Sequence, residues 1–195
     1  MRTQIGVMGS AGGPITPEEL DLARRLGRRI AERGAVLITG ACPGLPHASA
    51  LGAVERGGLV VGISPAHSRE EHVGVYESPL KAYGVLIFTG SGLMGREVHN
   101  IHTSDFVLFV GGRSGTLGEF SIAFDEGKLI GILTHSGGLS DQFATIARMT
   151  AKDTGSIMIE NSEPEALVDA CLERYLSEPI PTSHAFNHIS KQPRG

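Results

Sequence analysis

Four apolar runs along this chain each end in a glycine-rich turn, and that repetition restricts the fold more than any other feature. Residues 4–8 run into Gly9-Ser10-Ala11-Gly12-Gly13, and residues 35–38 into Thr39-Gly40-Ala41-Cys42-Pro43-Gly44. Residues 85–88 lead to a turn spanning 89–95, and residues 106–110 to Gly111-Gly112-Arg113-Ser114-Gly115. Short continuous apolar runs bounded by turn residues read as strands buried on both faces. Between them the period changes to that of a helix. Thr16 is an N-cap, Pro17 takes the first helical position and Glu18-Glu19 the first turn, ahead of Leu22, Ala23, Leu26 and Ile30. Further helices are expected over 46–55, from Gly92 or Arg96 to Thr103, from Thr116 to about 127, over 137–150 and over 163–175. Additional strands are expected at 59–63, 129–133 and 156–159.

Strands alternating with helices give an α/β fold, a doubly wound parallel sheet with helices on both faces. In such sheets ligands bind beyond the carboxyl ends of the strands, where all four glycine turns must gather. Glycine supplies 27 of 195 residues, about twice the ~7% average. Its placement after strands makes this a ligand edge.

Composition removes several classes of function. Hydrophobic residues make up 41% and charged ones 19% of the chain, with a formal net charge of −4. That balance argues against nucleic acid or a membrane surface as partner, and no apolar run approaches the ~18 residues of a membrane helix. Two cysteines, Cys42 and Cys171, make no disulfide framework, so a reducing cytoplasm is expected. One nucleotide-binding domain is expected over residues 1–178, followed by a C-terminal tail at 179–195.

The turn after residues 106–110 carries the chemistry. Glycines let the backbone amides approach a ligand, and Thr116 is expected to open a helix whose free amides attract an anion. Glu119, three residues on, sets a carboxylate beside that anion. A dinucleotide is a weak reading, since the first turn lacks Gly-x-Gly-x-x-Gly and residues 35–38 end in Thr39-Gly40 instead of an acid for a ribose. There is no P-loop motif for a triphosphate. A mononucleotide or a similarly phosphorylated small molecule remains.

Arg96 stands nine residues before Asp105 and 23 before Glu119, with Gly111-Gly112-x-x-Gly115-Thr116-x-x-Glu119 following. This block resembles the LONELY GUY (LOG) family, whose signature is an arginine-bearing helix and then Pro-Gly-Gly-Tyr-Gly-Thr-x-x-Glu. The turn from Gly40 to Leu45 is similar to the family's Gly-Gly-Gly-x-x-Gly-Leu. The resemblance implies a Rossmann-like fold, a homodimer, and hydrolysis of the N-glycosidic bond of a nucleoside 5'-monophosphate to free base and ribose 5-phosphate. It implies Arg96 and Glu119 as the catalytic pair. The anion and nucleotide are expected at Gly9, Ser10, Gly40, Gly44, Gly111, Gly112, Arg113, Ser114, Gly115 and Thr116. Departures from the pattern include Arg113-Ser114 for Gly-Tyr, Gly118 for a glutamate, and Glu97 where lysine or asparagine is usual. They point toward a short bacterial branch that includes proteins resembling molybdenum-cofactor carriers, so a non-catalytic nucleotide or cofactor carrier or sensor is the alternative.

Other features are weaker. His99 and His102 lie near Asp105 without a further ligand in view, so no metal site is assigned. The four lysines, Lys81, Lys128, Lys152 and Lys191, sit in no Schiff-base motif, and no cofactor is expected. Cys42 has no paired base in sequence. Met94, Val98 and Ile101 form an apolar stripe read as core or dimer interface, with Arg96, His99, Asn100 and Thr103 on the opposite face. Residues 64–83 are polar and irregular, either a lid or a solvated loop.

Overall fold

The computed structural model describes residues 1–177, so the expected tail at 179–195 lies outside the described residues. Seven strands form one parallel sheet: β1 (Gln4–Gly9), β2 (Val36–Thr39), β3 (Leu59–Ser64), β4 (Val85–Phe88), β5 (Phe106–Val110), β6 (Leu129–Leu133) and β7 (Ile157–Asn161). Their order across the sheet is β4-β3-β2-β1-β5-β6-β7. The chain therefore winds outward from β1 in one direction, then returns to lay β5 on the other side of β1. Ile5 pairs with Phe106 and Gly9 with Val110 along that central seam. The loops after β1 and β5 diverge there and leave a crevice at the switch point.

Seven helices cover the two faces: α1 (Pro17–Glu32), α2 (Leu45–Glu55), α3 (Arg69–Gly74), α4 (Gly92–Thr103), α5 (Ser114–Asp125), α6 (Phe143–Met149) and α7 (Pro164–Ser177). The alternation of side chains along β5 shows how one strand serves both layers. Phe106, Leu108 and Val110 join Leu26 and Ile30 of α1 and Leu167 of α7 in one core cluster. Val107 and Phe109 join Ile101 of α4, Phe120 of α5 and Phe143 of α6 in the other. On that second face the Phe120 and Phe143 rings stack at 4.4 Å between centroids, and Phe109 meets Phe143 edge-on at 5.3 Å.

Local signals mostly act as expected. Thr16 caps α1 in a full capping box, its hydroxyl accepting from Glu19 N–H while the Glu19 carboxylate accepts from Thr16 N–H. Three local expectations are corrected. The helix after β5 begins at Ser114, two residues before Thr116, with Arg113 in the cap position. The helix expected over 137–150 is confined to Phe143–Met149, because a 3-10 turn at Ser140–Gln142 precedes it and Ser140 is buried. Residues 64–83 are no plain solvated loop, because they contain α3 and a buried histidine. His72 Nδ1 lies 2.8 Å from Ser64 Oγ, its Nε2 lies 3.1 Å from Pro79 O, and these contacts fasten the segment to the end of β3. No helix among the described residues is long and apolar enough to cross a membrane.

The aromatic stack gives α6 its anchor, since this helix has only seven residues and few other buried side chains. Phe143→Ala is expected to destabilise the fold by about 3–5 kcal/mol, read as a lowered midpoint in urea with an unchanged slope.

Candidate functional site

The cradle is built by two serines. Gly112 N–H donates to Ser10 Oγ at 2.8 Å, which ties the turn after β5 to the turn after β1. Gly111 N–H donates to Ser136 Oγ at 2.8 Å, which ties it to the loop after β6. Both glycine amides are therefore engaged in holding the turn. The first helical hydrogen bond of α5 runs from Leu117 N–H to Arg113 O at 2.9 Å. That leaves the N–H groups of Ser114, Gly115 and Thr116 without acceptors among the described residues, pointing along a helix axis whose dipole favours an anion.

These amides open on a cavity of about 420 Å³ at the switch point. Eight of the expected residues line it: Gly9, Gly40, Arg96, Arg113, Ser114, Gly115, Thr116 and Glu119. The other four, Ser10, Gly44, Gly111 and Gly112, stand behind the wall. Ser10 and the glycine pair make the ties just described, and Ser10 O also accepts from Leu45 N–H at 2.9 Å. Gly44 adopts φ 77 to let α2 start there, a conformation that favours glycine.

Three charged side chains meet inside. Arg96, Glu97 and Glu119 are 8%, 5% and 7% exposed. Arg96 Nη1 lies 4.0 Å from Glu119 Oε1, and the same oxygen accepts from Asn100 Nδ2 at 2.8 Å. The guanidinium lies against Gly40, where any side chain would collide with it. Arg96 Nε is buried and has no partner among the described residues. Burial pushes the Glu119 carboxyl up, while the Arg96 charge and the Asn100 hydrogen bond pull it back toward ionisation. Glu97 is pushed up to about 7 by burial and then by the charge of Glu119, against Arg96. Burial also raises the Cys42 thiol, with Arg96 opposing, which disfavours a thiolate nucleophile.

On helix α4 the core alternative for the apolar stripe holds for Ile101 but not for Met94 and Val98. Arg96, Glu97 and Asn100 turn inward, whereas Met94 and Val98 are exposed and only Ile101 of the stripe is in the core. The reason is position: the start of α4 overhangs the crevice, so its inner side meets a polar cavity. Outside the site, His102 Nε2 pairs with Glu126, and Asp105 accepts from Gln4 N–H.

A second chamber of about 310 Å³ lies past Arg96. It shares Ala11, Gly40, Cys42, Leu93 and Arg96 with the first and is roofed by Pro65, Val75, Tyr76 and Ser78 from the 64–83 segment. Glu97, Asn100, Leu93 and Tyr76 were missed as site residues by sequence reasoning. Asn100 had a usable signal, since it stands one helical turn after Arg96. Glu97 had none, because adjacent helical positions do not ordinarily share a face.

Residues 2–168 match the SLOG cluster4 family. The chain belongs to that family. An uncharacterized protein of Archaeoglobus fulgidus is 39% identical to this SLOG cluster4 protein over 130 residues, 67% of this chain and 79% of the relative. Among solved structures, the molybdenum cofactor binding protein of the phototrophic bacterium Rippkaea orientalis is 29% identical, with a TM-score of 0.73 over 91% of this chain and 99% of that one. The molybdenum cofactor carrier protein of Chlamydomonas reinhardtii is 25% identical, with a TM-score of 0.73 over 91% and 100%. The resemblance to LOG proteins thus holds at the level of the SLOG superfamily and selects no particular LOG member.

Two outcomes are expected from these contacts. Ser10→Ala leaves the buried Gly112 N–H without an acceptor and should lower stability by about 1–3 kcal/mol in chemical denaturation. For Glu97 the sign is set by its raised value. The unfolded chain loses this proton near the ordinary 4.5 and the folded protein near 7, so folding loses stability as pH rises across that window. Thermal melts from pH 5 to 8 should show this loss, and Glu97→Gln should reduce it.

Proposed function

We propose that this protein binds a nucleoside 5'-monophosphate at the switch point and hydrolyses its N-glycosidic bond. The observation that carries this reading is convergence. Three free α5 amides, a buried guanidinium with an unpartnered Nε, and a buried carboxylate open on one cavity. In this reading the phosphate sits on the amides of Ser114, Gly115 and Thr116. Arg113, whose guanidinium lies against Gly13 across the mouth, adds a cation. The sugar lies over Glu119 and Arg96. The base enters the second chamber, where Tyr76, Leu93 and the prolines Pro43 and Pro65 offer an apolar slot.

The chemistry follows from charge. Cleaving the bond between C1' and the base builds positive charge on the ribose. An ionised Glu119 stabilises that charge and takes a proton from the attacking water. Arg96 and Asn100 hold that carboxylate in place and favour its ionised form. Anchoring the phosphate at one end supplies the positioning.

A second reading is supported by the two molybdenum-cofactor proteins at 29% and 25% identity. Here the same cavity carries a phosphorylated cofactor without turning it over, and the carboxylates serve binding alone.

The test is incubation with AMP, GMP, CMP and UMP, with free base followed by chromatography. Base release is expected, and Glu119→Gln should lower it by about 10²–10⁴-fold while AMP still binds in calorimetry. No release from any monophosphate, with molybdenum or an intact phosphorylated ligand co-purifying, would move the assignment to the carrier.

A further inference from the structure

Glu97 is the buried group that the proposed chemistry does not use. It follows Arg96 on α4, is 5% exposed, and lines the cavity. Its Oε1 lies 3.4 Å from where a Cβ on Gly115 would stand, so the carboxylate rests on the same first turn of α5 that offers its amides. Its Oε2 lies 2.6 Å from where a Cβ on Gly118 would stand, and only a missing side chain there leaves it this place. No donor among the described residues reaches it. The charged and titratable groups facing it are Arg96 on its own helix, Glu119 on α5, Arg113 in the turn before α5 and Cys42 after β2. The loop after β1 contributes only Ala11 and Gly12, which carry no charge.

A carboxylate set against an anion site is a contradiction unless it changes state. Ionised, Glu97 repels a phosphate on the neighbouring amides. Neutral, it carries an O–H that donates to a phosphate oxygen. We propose that Glu97 couples anion capture to proton uptake, so that the phosphate settles on the α5 amides only as this carboxyl group becomes neutral. The inference rests on the anion reading of α5 and deepens it by naming the regulator of that site. Burial, and after it the negative charge of Glu119, push the Glu97 carboxyl up to about 7. An arriving dianion is a further negative charge nearby and drives the proton on. The coupling works in both directions, so affinity falls as pH rises above about 7.

The experiment is calorimetry of AMP binding to the full-length protein in two buffers of different ionisation enthalpy, from pH 7.5 to 8.5. AMP is already a dianion there, since a phosphomonoester loses its second proton near pH ~6, and its own titration does not intrude. Uptake approaching one proton per AMP is expected, with affinity falling roughly tenfold over that pH unit. Glu97→Gln should remove the uptake and flatten the profile. Glu119→Gln, which takes away the like charge, should shift the midpoint to lower pH in a protein that keeps Glu97. AMP binding with no proton uptake, or with uptake that persists in Glu97→Gln, overturns this inference and leaves the anion site standing. AMP binding to neither protein at any pH overturns the anion site and this inference with it.

Discussion

A guanidinium stripped of most of its water and laid on the backbone of a glycine is the contact on which this structure turns. Arg96 reaches the switch point because Gly40 has no side chain to stop it. Removing a charge from water is costly unless partners replace the lost solvent, and here the replacement is incomplete. Glu119 approaches only to 4.0 Å and Nε has no acceptor. Two carboxylates face one guanidinium, so the interior of the site has one acid more than it can neutralise. The site is unfinished without something else in it, whether a ligand or a proton.

That incompleteness is affordable because the frame around it is finished. The two apolar layers on either side of β5 are built from buried side chains, and the ties from Ser10 and Ser136 satisfy the amides that would otherwise face into the turn. The first turn of α5 and Arg96 keep unsatisfied donors at the site, and among the described residues Thr39 Oγ1, His47 Nδ1 and the Tyr83 hydroxyl are also buried without a partner. The core clusters beneath the carboxyl edge are built from fully buried apolar side chains.

The fold was legible in the sequence wherever a continuous apolar run met a glycine or a cap. The strands Val85–Phe88, Phe106–Val110 and Leu129–Leu133 were marked to the residue, because their ends coincide with turn residues. Spacing did bring Arg96 and Glu119 to one cavity, which eight of the expected residues line. The errors have a common physical origin. Periodicity says which side of a helix is apolar, but not whether the inner side meets core or cavity, and for α4 it meets a cavity. That is why Met94 and Val98 face out while Asn100 faces in. Glu97 is buried beside Arg96 only because Gly118, 21 positions later, leaves a vacancy on the neighbouring helix, and such complementarity has no one-dimensional trace. His72 is similar: a lone histidine in a polar segment acquires its meaning from Ser64 and Pro79.

The His72 fastening has a consequence for traffic. Residues 65 to 78 form a roof held to the end of β3 by the buried His72 ring and to the turn after β4 by Gly90 N–H and Gly92 N–H, which donate to Ala66 O and Pro65 O. Lifting such a roof means exposing that ring and its two partners together, which is slow compared with the hinge of a free loop. For the ligand proposed above, passage is then by the mouth near Arg113, with the phosphate end last to enter and first to leave. The chamber past Arg96, about 310 Å³, then bounds the part of the proposed ligand that it can hold.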